Sequence, residues 1–127
     1  TTAKISQVSR LNTTWGSGPR HMAFHPSGKF SFTVMEMANY VVVHAIGANA
    51  KLTEVQRISS LPSRKVFTGF SKAAEILMTP DGKQLLVSNR GFGPDSGNVV
   101  VYPFEVEKGF LGVGVTSKIG DTFPRYT

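Results

Sequence analysis

Three charged residues of the 127-residue chain could together bind an anion and move a proton: Arg20, Glu36 and Arg90. A guanidinium group is always charged and presents paired N–H donors, so each arginine could hold a carboxylate or a phosphate. Glu36 could carry a proton to or from a carbon atom or a water molecule within hydrogen-bond reach. The alternatives are structural, namely arginines that bind backbone carbonyls in turns and a glutamate that forms an ion pair with Arg90.

A degraded internal repeat relates these residues to one another. The segment GPRHMAFHPSGKF (residues 18–30) is followed by a second copy, AEILMTPDGKQ (residues 74–84). Their Gly-Lys pairs align at an offset of 54 residues, and the same offset places Glu36 on Arg90. Equivalent positions of the two repeats therefore carry opposite charges. We expect these two side chains to be neighbours if the repeats pack against each other.

The repeat predicts an all-β fold. Each copy holds four short runs rich in Val, Phe, Ile and Thr, separated by Gly, Pro and Asn turn signals. No window keeps an apolar 3.6-residue period over three turns, which argues against a repeat of helix pairs. Four strands in about 50 residues are typical of an antiparallel β-propeller blade. The predicted strands are residues 22–24, 30–35, 40–44 and 52–58 in one blade, and 76–78, 84–88, 98–104 and 110–116 in the next.

This period also divides the chain into domains. Propellers close with about four to eight blades, so about two complete blades cannot close a ring. Because a blade is apolar on both faces, we expect either a fragment of a longer protein or self-association through blade faces or edge strands. The predicted parts are residues 1–18 with the last strand of a preceding blade (5–9) and a crossing, a blade at 19–60, a connection at 61–72, a blade at 73–119, and the start of another at 120–127.

Composition argues against several kinds of partner. The chain has no cysteine, and no apolar run approaches the roughly 20 residues of a membrane span. The net charge is +6, but the basic residues are scattered apart from Arg64 and Lys65, whereas a nucleic-acid surface needs a continuous basic stripe. His21 and His25 would lie about 13 Å apart along a strand, too far to chelate one metal ion. We expect no metal or organic cofactor, no nucleic acid, no membrane, and a cytoplasmic location, with secretion left open.

Two blocks, residues 18–30 and AAEILMTPDGKQLLVSNRG at residues 73–91, resemble the lactonase family of seven-bladed β-propellers. The resemblance runs from about residue 5 to residue 125. That family includes a bacterial type of 6-phosphogluconolactonase and the fungal carboxy-cis,cis-muconate cyclase. The resemblance implies that the chain belongs to a seven-bladed ring, which hydrolyses or forms a lactone of a small anionic sugar acid or of a muconate-type substrate.

The same resemblance implies roles for individual residues. In the muconate cyclase the site combines a histidine, two arginines and a glutamate. Arg20 matches the first arginine after a Pro at the start of a blade, Glu36 matches the glutamate, and Arg90 matches the arginine one blade on. The family's histidine belongs to the preceding blade, and His21 is a different residue. The implied catalytic residues are therefore Arg20, Glu36 and Arg90, and we expect the chain alone to lack part of the site.

His21 and Glu75 occupy equivalent positions in the first strands of the two blades, which lie nearest a propeller's axis. A charge at Glu75, before an apolar strand, should be paired or should face the central channel. We predict that His21 and Glu75 bind substrate, with a structural link between blades as the alternative. Two functions stay open at this point, a lactone enzyme and a catalytically silent binding or scaffold propeller.

Overall fold

The computed structural model describes residues 2–61, 70–92 and 97–119, which form two antiparallel sheets. In these ranges the only helical element is a 3-10 turn at Ala48–Ala50. The predicted all-β class, built of antiparallel propeller-like blades, is confirmed. The first sheet contains, in spatial order, β1 (Pro19–Phe24), β2 (Phe30–Met35), β3 (Tyr40–Ile46) and β4 (Leu52–Ser59). The second contains β5 (Phe70–Met78), β6 (Gln84–Phe92) and β7 (Asn98–Glu105), with β8 (Phe110–Leu111) and β9 (Val115–Lys118) both paired with β7.

The turn from β1 to β2 is built like the turn from β5 to β6. The N–H of Gly28 donates to the carbonyl of His25 at 2.9 Å, and the N–H of Gly82 donates to the carbonyl of Thr79 at 2.8 Å. Both glycines have a left-handed φ, 70° and 71°, which glycine adopts without steric cost. The two hairpins therefore share one turn geometry.

The two sheets pack face to face through an apolar core. Side chains alternate between the faces of a strand, so every second residue of β2 and β3 faces the other sheet. The ring of Phe104 meets Phe32 edge-on, with 5.0 Å between centroids. This packing brings the first strands of the two sheets, β1 and β5, into contact. The core residues are Phe32, Val34, Val41, Val43, Ala73, Ile76, Leu85, Val87, Val100, Tyr102, Phe104 and Leu111.

Two parts of the strand prediction were wrong, and one stays untested. Residues 5–9 pair with none of the described strands, but the strand predicted for them would pair within a preceding blade, which the described residues do not include, so it stays a prediction. The predicted strand 110–116 is interrupted at residues 112–114, where Gly112 and Gly114 lie close against the side chains of Pro103 and Tyr102. β5 begins at Phe70, inside the predicted connection. Residues 62–69, with Arg64 and Lys65, and the predicted next blade at 120–127 lie outside the described residues.

Candidate functional site

The first strands of both sheets are irregular at the same place in the repeat. β1 shifts its register against β2 between Pro19 and Met22, and β5 shifts against β6 between Ala73 and Ile76. Such bulges re-aim side chains and are common beside active sites. The residues inside these irregularities are Arg20 and His21 in β1, and Ala74 and Glu75 in β5.

Glu36 lies between two arginines, one from each sheet. Its Oε2 is 3.7 Å from Nη1 of Arg20, and its Oε1 accepts a hydrogen bond from Nη2 of Arg90. The side chains of Arg20, Glu36 and Arg90 are 22%, 21% and 13% exposed. Partly buried charges are screened less by salt than exposed ones. The neighbourhood expected from the repeat is therefore present, and it forms a compact, partly buried cluster with two positive charges and one negative charge.

Backbone contacts fix Glu36 and Arg20. The N–H of Glu36, just after β2, donates to the carbonyl of Gly18 at 2.8 Å. Gly18 has a φ of 67°, and a Cβ there would lie 2.7 Å from Cγ of Met37, so this position requires glycine. Nε of Arg20 donates to the carbonyl of Ala74 at 3.0 Å, across to the other sheet. Through Nε, Arg20 thus makes the backbone contact expected of a structural arginine. Its Nη1 faces Glu36 at the same time.

The four residues SNRG at the end of β6 each make a different contact. Three of these contacts, those of Ser88, Asn89 and Gly91, were not anticipated from the sequence. A buried Asn in an apolar strand directly before an arginine was the available signal, because a buried amide has to be hydrogen-bonded. The contacts are Ser88 Oγ with the N–H of Glu75 (3.0 Å), Asn89 Nδ2 with the carbonyl of Ser60 (2.5 Å), Arg90 with Glu36, and Gly91 so close to the carbonyl of Phe70 that a Cβ would overlap it.

His21 and Glu75 form the second pair at this junction. Nδ1 of His21 lies 2.9 Å from Oε1 of Glu75, and the same oxygen accepts the N–H of Ile76 at 2.9 Å. The imidazole is 37% exposed and the carboxylate 17% exposed. The pair links the two sheets and is also open to solvent, so its geometry is compatible with both roles predicted for it.

A cavity of about 760 Å³ lies elsewhere, between residues 10–16 and the face of the first sheet that points away from the core. Its lining includes Met22, Thr33 and His44 and none of the five predicted site residues. In a propeller this face packs against another blade. We therefore place the candidate site at the contact between β1 and β5 and not in this cavity.

Neither a metal site nor a membrane span was found in the part of the chain that the structure describes. No group of three or more His, Asp or Glu side chains there is placed to hold a metal ion. No helix in the same ranges is long and apolar enough to cross a membrane.

Comparison with known proteins decides the family. The family described as "Lactonase, 7-bladed beta-propeller" matches residues 1–126. The chain belongs to this lactonase family. The resemblance noted in the sequence is therefore confirmed, and the two sheets of this lactonase-family chain correspond to part of a seven-bladed ring.

Individual relatives agree with this assignment. The 6-phosphogluconolactonase of Pectobacterium carotovorum is 36% identical over 87 residues, which cover 68% of this chain and 26% of that protein. The 6-phosphogluconolactonase of Erwinia tasmaniensis is 33% identical over 108 residues, covering 83% of this chain and 30% of that protein. The solved periplasmic gluconolactonase of Pseudomonas aeruginosa has a TM-score of 0.83 and 30% identity, over 91% of this chain and 31% of that one. The lactonase-family chain thus spans between a quarter and a third of the length of these relatives.

Proposed function

We propose that this chain supplies two blades and part of the active site of an enzyme that hydrolyses the lactone of an anionic sugar acid. The observation that carries the proposal is the cluster of Arg20 in β1, Glu36 just after β2 and Arg90 in β6. Relatives named 6-phosphogluconolactonase support a phosphorylated sugar lactone as the substrate. The chain covers 26% of the first of them, so we propose that further blades of a longer chain, or associated copies, complete the ring.

The two arginines can serve both binding and chemistry. A guanidinium pair can hold a phosphate or carboxylate and can stabilise the oxyanion that forms when a lactone carbonyl is attacked. Such stabilisation is strongest when the donors are oriented beforehand and water is excluded. Arg20 is oriented by the carbonyl of Ala74, and Arg90 is only 13% exposed. Arg20 is therefore oriented, and Arg90 is largely shielded from water, before any substrate binds.

Glu36 has two possible uses in the same reaction. Its two carboxylate oxygens face guanidinium nitrogens, so it holds Arg20 and Arg90 in place while the site is empty. The proton transfer predicted from the sequence requires that an incoming anion displace Glu36 from one arginine, which would free an oxygen. We propose the positioning role as the primary one, because it needs no rearrangement.

A catalytically silent binding or scaffold propeller is the second candidate function. The observation that favours it is that Arg20 and Arg90 already have protein partners, Ala74 and Glu36, as in an ordinary structural junction. A muconate-type dicarboxylate, the other substrate class that the resemblance implies, would suit the same arginine pair. Turnover measurements on several lactones separate these possibilities.

The test is an assay of the complete protein with 6-phosphogluconolactone, gluconolactone and a muconolactone. We expect the phosphorylated sugar lactone to be turned over fastest. Arg90→Ala should lower kcat/KM by about 100- to 1,000-fold, the scale seen when an oxyanion-stabilising donor is removed. The matched control is Arg57→Ala, which removes an exposed arginine paired with Glu54 and should leave kcat/KM unchanged. Wild-type turnover in Arg90→Ala, or no turnover of any lactone, contradicts the proposal, and the second result favours the scaffold.

We propose the cytoplasm as the compartment, because a charged sugar phosphate does not cross a membrane unaided. The solved relative named as a periplasmic gluconolactonase represents the alternative. Fractionation of cells that express the complete protein separates the two, and activity confined to a secreted or periplasmic fraction would contradict our proposal.

A further inference from the structure

The pair of His21 and Glu75 lies directly beside the arginine cluster. His21 follows Arg20 in the irregular part of β1, and Glu75 follows Ala74 in the irregular part of β5. Arg20 contacts Ala74 and His21 contacts Glu75, so these are successive contacts between the same two strands. Neighbouring side chains of a regular strand point to opposite faces, but in this irregular part of β1 both Arg20 and His21 reach across to β5. A molecule held by Arg20 would therefore lie near the imidazole of His21.

Of the two ring nitrogens of His21, Nδ1 contacts a carboxylate and Nε2 faces solvent. Nδ1 lies 2.9 Å from Oε1 of Glu75. Because an ionised carboxylate can only accept a hydrogen bond, Nδ1 carries the hydrogen and Nε2 of the neutral ring has the lone pair. Within the described ranges no hydrogen-bond partner contacts Nε2, and the side chain is 37% exposed. Nε2 can therefore accept a proton without first giving up another contact.

Glu75 is held more firmly than the imidazole that it contacts. Its Oε1 accepts the N–H of Ile76 at 2.9 Å, and its own N–H donates to Oγ of Ser88 at 3.0 Å. The carboxylate is 17% exposed, about half the exposure of the imidazole. A carboxylate that fixes the orientation and tautomer of a more open histidine is the arrangement by which proteins position a general base.

We propose that His21, positioned by Glu75, carries the proton in lactone hydrolysis; this inference rests on the proposed function. Nε2 takes a proton from a water molecule while the water oxygen bonds to the lactone carbonyl carbon, whose oxygen becomes the oxyanion facing the arginines. When the carbonyl re-forms, the bond from its carbon to the ring oxygen breaks, and the imidazolium gives its proton to that ring oxygen. The product is the open hydroxy acid, which loses its carboxyl proton to solvent. His21 ends neutral and ready for another cycle.

Geometry favours His21 over Glu36 for this step. Both oxygens of Glu36 face guanidinium nitrogens, and protonation there would break an ion pair. Nε2 of His21 has no hydrogen-bond partner among the described residues that a proton would displace. His21 is therefore the catalytic residue of this proposal, Glu75 is a positioning residue, and Arg20 and Arg90 bind the anion and stabilise the oxyanion.

The experiment uses His21→Ala, Glu75→Gln and the double variant of the complete protein, with the sugar lactone that the parent turns over. We expect His21→Ala to lower kcat by about 100-fold or more, on the scale of general acid–base catalysis, with little change in KM. Added imidazole should restore part of the turnover of His21→Ala, which a merely structural histidine would not allow. Glu75→Gln should lower kcat in the parent but cause no further loss in His21→Ala, because residues that act as a unit are not additive. Glu54→Gln, in the exposed pair with Arg57, is the control and should keep the parent's kcat.

The outcomes separate this inference from the proposed function. Full kcat in His21→Ala, with an active parent, overturns the role of His21 and leaves lactone hydrolysis standing. Loss of turnover without imidazole rescue, in a variant that still binds 6-phosphogluconate by calorimetry, shows a structural histidine and also overturns it. If His21→Ala fails to fold, His21→Gln takes its place, and a kcat equal to the parent's in that folded variant counts against the proposal. A parent without lactone turnover removes the proposed function itself.

Discussion

The junction between the two sheets has two ends that differ in chemistry. Its inner end, at the first strands, joins the sheets through five charged or titratable side chains: Arg20, His21, Glu36, Glu75 and Arg90. Its outer end joins them through the aromatic core and through uncharged amide and hydroxyl groups, with one titratable side chain, His25, whose Nε2 lies 3.2 Å from the carbonyl of Gly82. There Gln56 forms two hydrogen bonds with the backbone of Leu111, at 2.9 and 2.7 Å, and Tyr102 donates to the carbonyl of Ser59 at 2.6 Å.

This difference indicates that the two ends of the junction have different roles, one in ligand binding and one in stability. Burying ions costs desolvation energy that their attraction often does no more than offset, so partly buried ion pairs add little net stability. Neutral groups that saturate one another join two sheets without that cost, as the outer end shows. We infer that the inner end keeps its charges for a ligand. Substitutions at the outer end should then change stability and spare activity, whereas those at the inner end should do the reverse.

The largest expected effect is a loss of stability at the outer end. Phe104 is buried and meets the rings of Phe32, Phe30 and His25, with centroids 5.0, 5.3 and 5.2 Å away. Phe104→Ala should lower the free energy of unfolding by about 3–5 kcal/mol, because it leaves a cavity in the core. Urea unfolding measures this, and kcat per folded molecule should equal that of the parent. A loss of kcat with unchanged stability would contradict the division between the two ends.

A substitution of Glu36 should have the opposite profile. Glu36→Gln keeps the shape of the side chain but removes the charge that holds Arg20 and Arg90. We expect kcat/KM to fall by about 100-fold, the effect of a small misplacement of catalytic groups, while the free energy of unfolding changes by less than about 1 kcal/mol. The control is Glu105→Gln, in an exposed pair with Lys108. If Glu36→Gln destabilises the fold and leaves activity intact, the inner end is structural like the outer end.

A moderate loss of stability is expected from Gln56→Ala. This change removes both hydrogen bonds to Leu111 and should cost about 1–3 kcal/mol, since each such bond contributes roughly 0.5–1.5 kcal/mol. Thermal and urea unfolding measure the cost, with Gln84→Ala at an exposed strand position as the control. A drop in lactone turnover without a drop in stability would mean that the outer end also contributes to the site.

The sequence predicted those parts of the molecule that depend on local patterns. Turn glycines and alternating apolar residues gave strands β2 and β6 their correct starts, and the shared offset placed Glu36 beside Arg90. The strand predicted at residues 5–9 stays a prediction, because strand formation depends on a partner that a local pattern does not reveal. The hydrogen bond from Arg20 to Ala74 could not be predicted from the sequence either, because its acceptor is a backbone carbonyl, which any residue supplies.

The smallest expected effect tests whether the buried face of the first sheet that points away from the core also avoids charge. His44 is a buried histidine in β3, opposite Ser31 in β2 and Glu54 in β4. Burial lowers the pKa of His44 below its ordinary value of 6.5, although the nearby carboxylate of Glu54 acts in the opposite direction. The folded state therefore holds the neutral imidazole, whereas the unfolded chain takes up a proton as the pH falls below about 6.5. The contribution to stability is complete above that pH and is lost as the pH falls below it.

Urea unfolding of the complete protein at pH 7.5 and at pH 5.5 measures this contribution, with His44→Gln as the comparison. We expect the parent to lose more stability than His44→Gln between these two values, because only the parent's unfolded state gains a proton at this position. Glu54 is the charged group paired with His44 across the strands, and Ser31 is neutral, so a second pair of measurements in Glu54→Gln should enlarge the difference. Equal losses in parent and His44→Gln would mean that His44 accepts its proton while folded. A charge would then be tolerated on this buried face, and burial of charge would no longer mark the inner end as a ligand site.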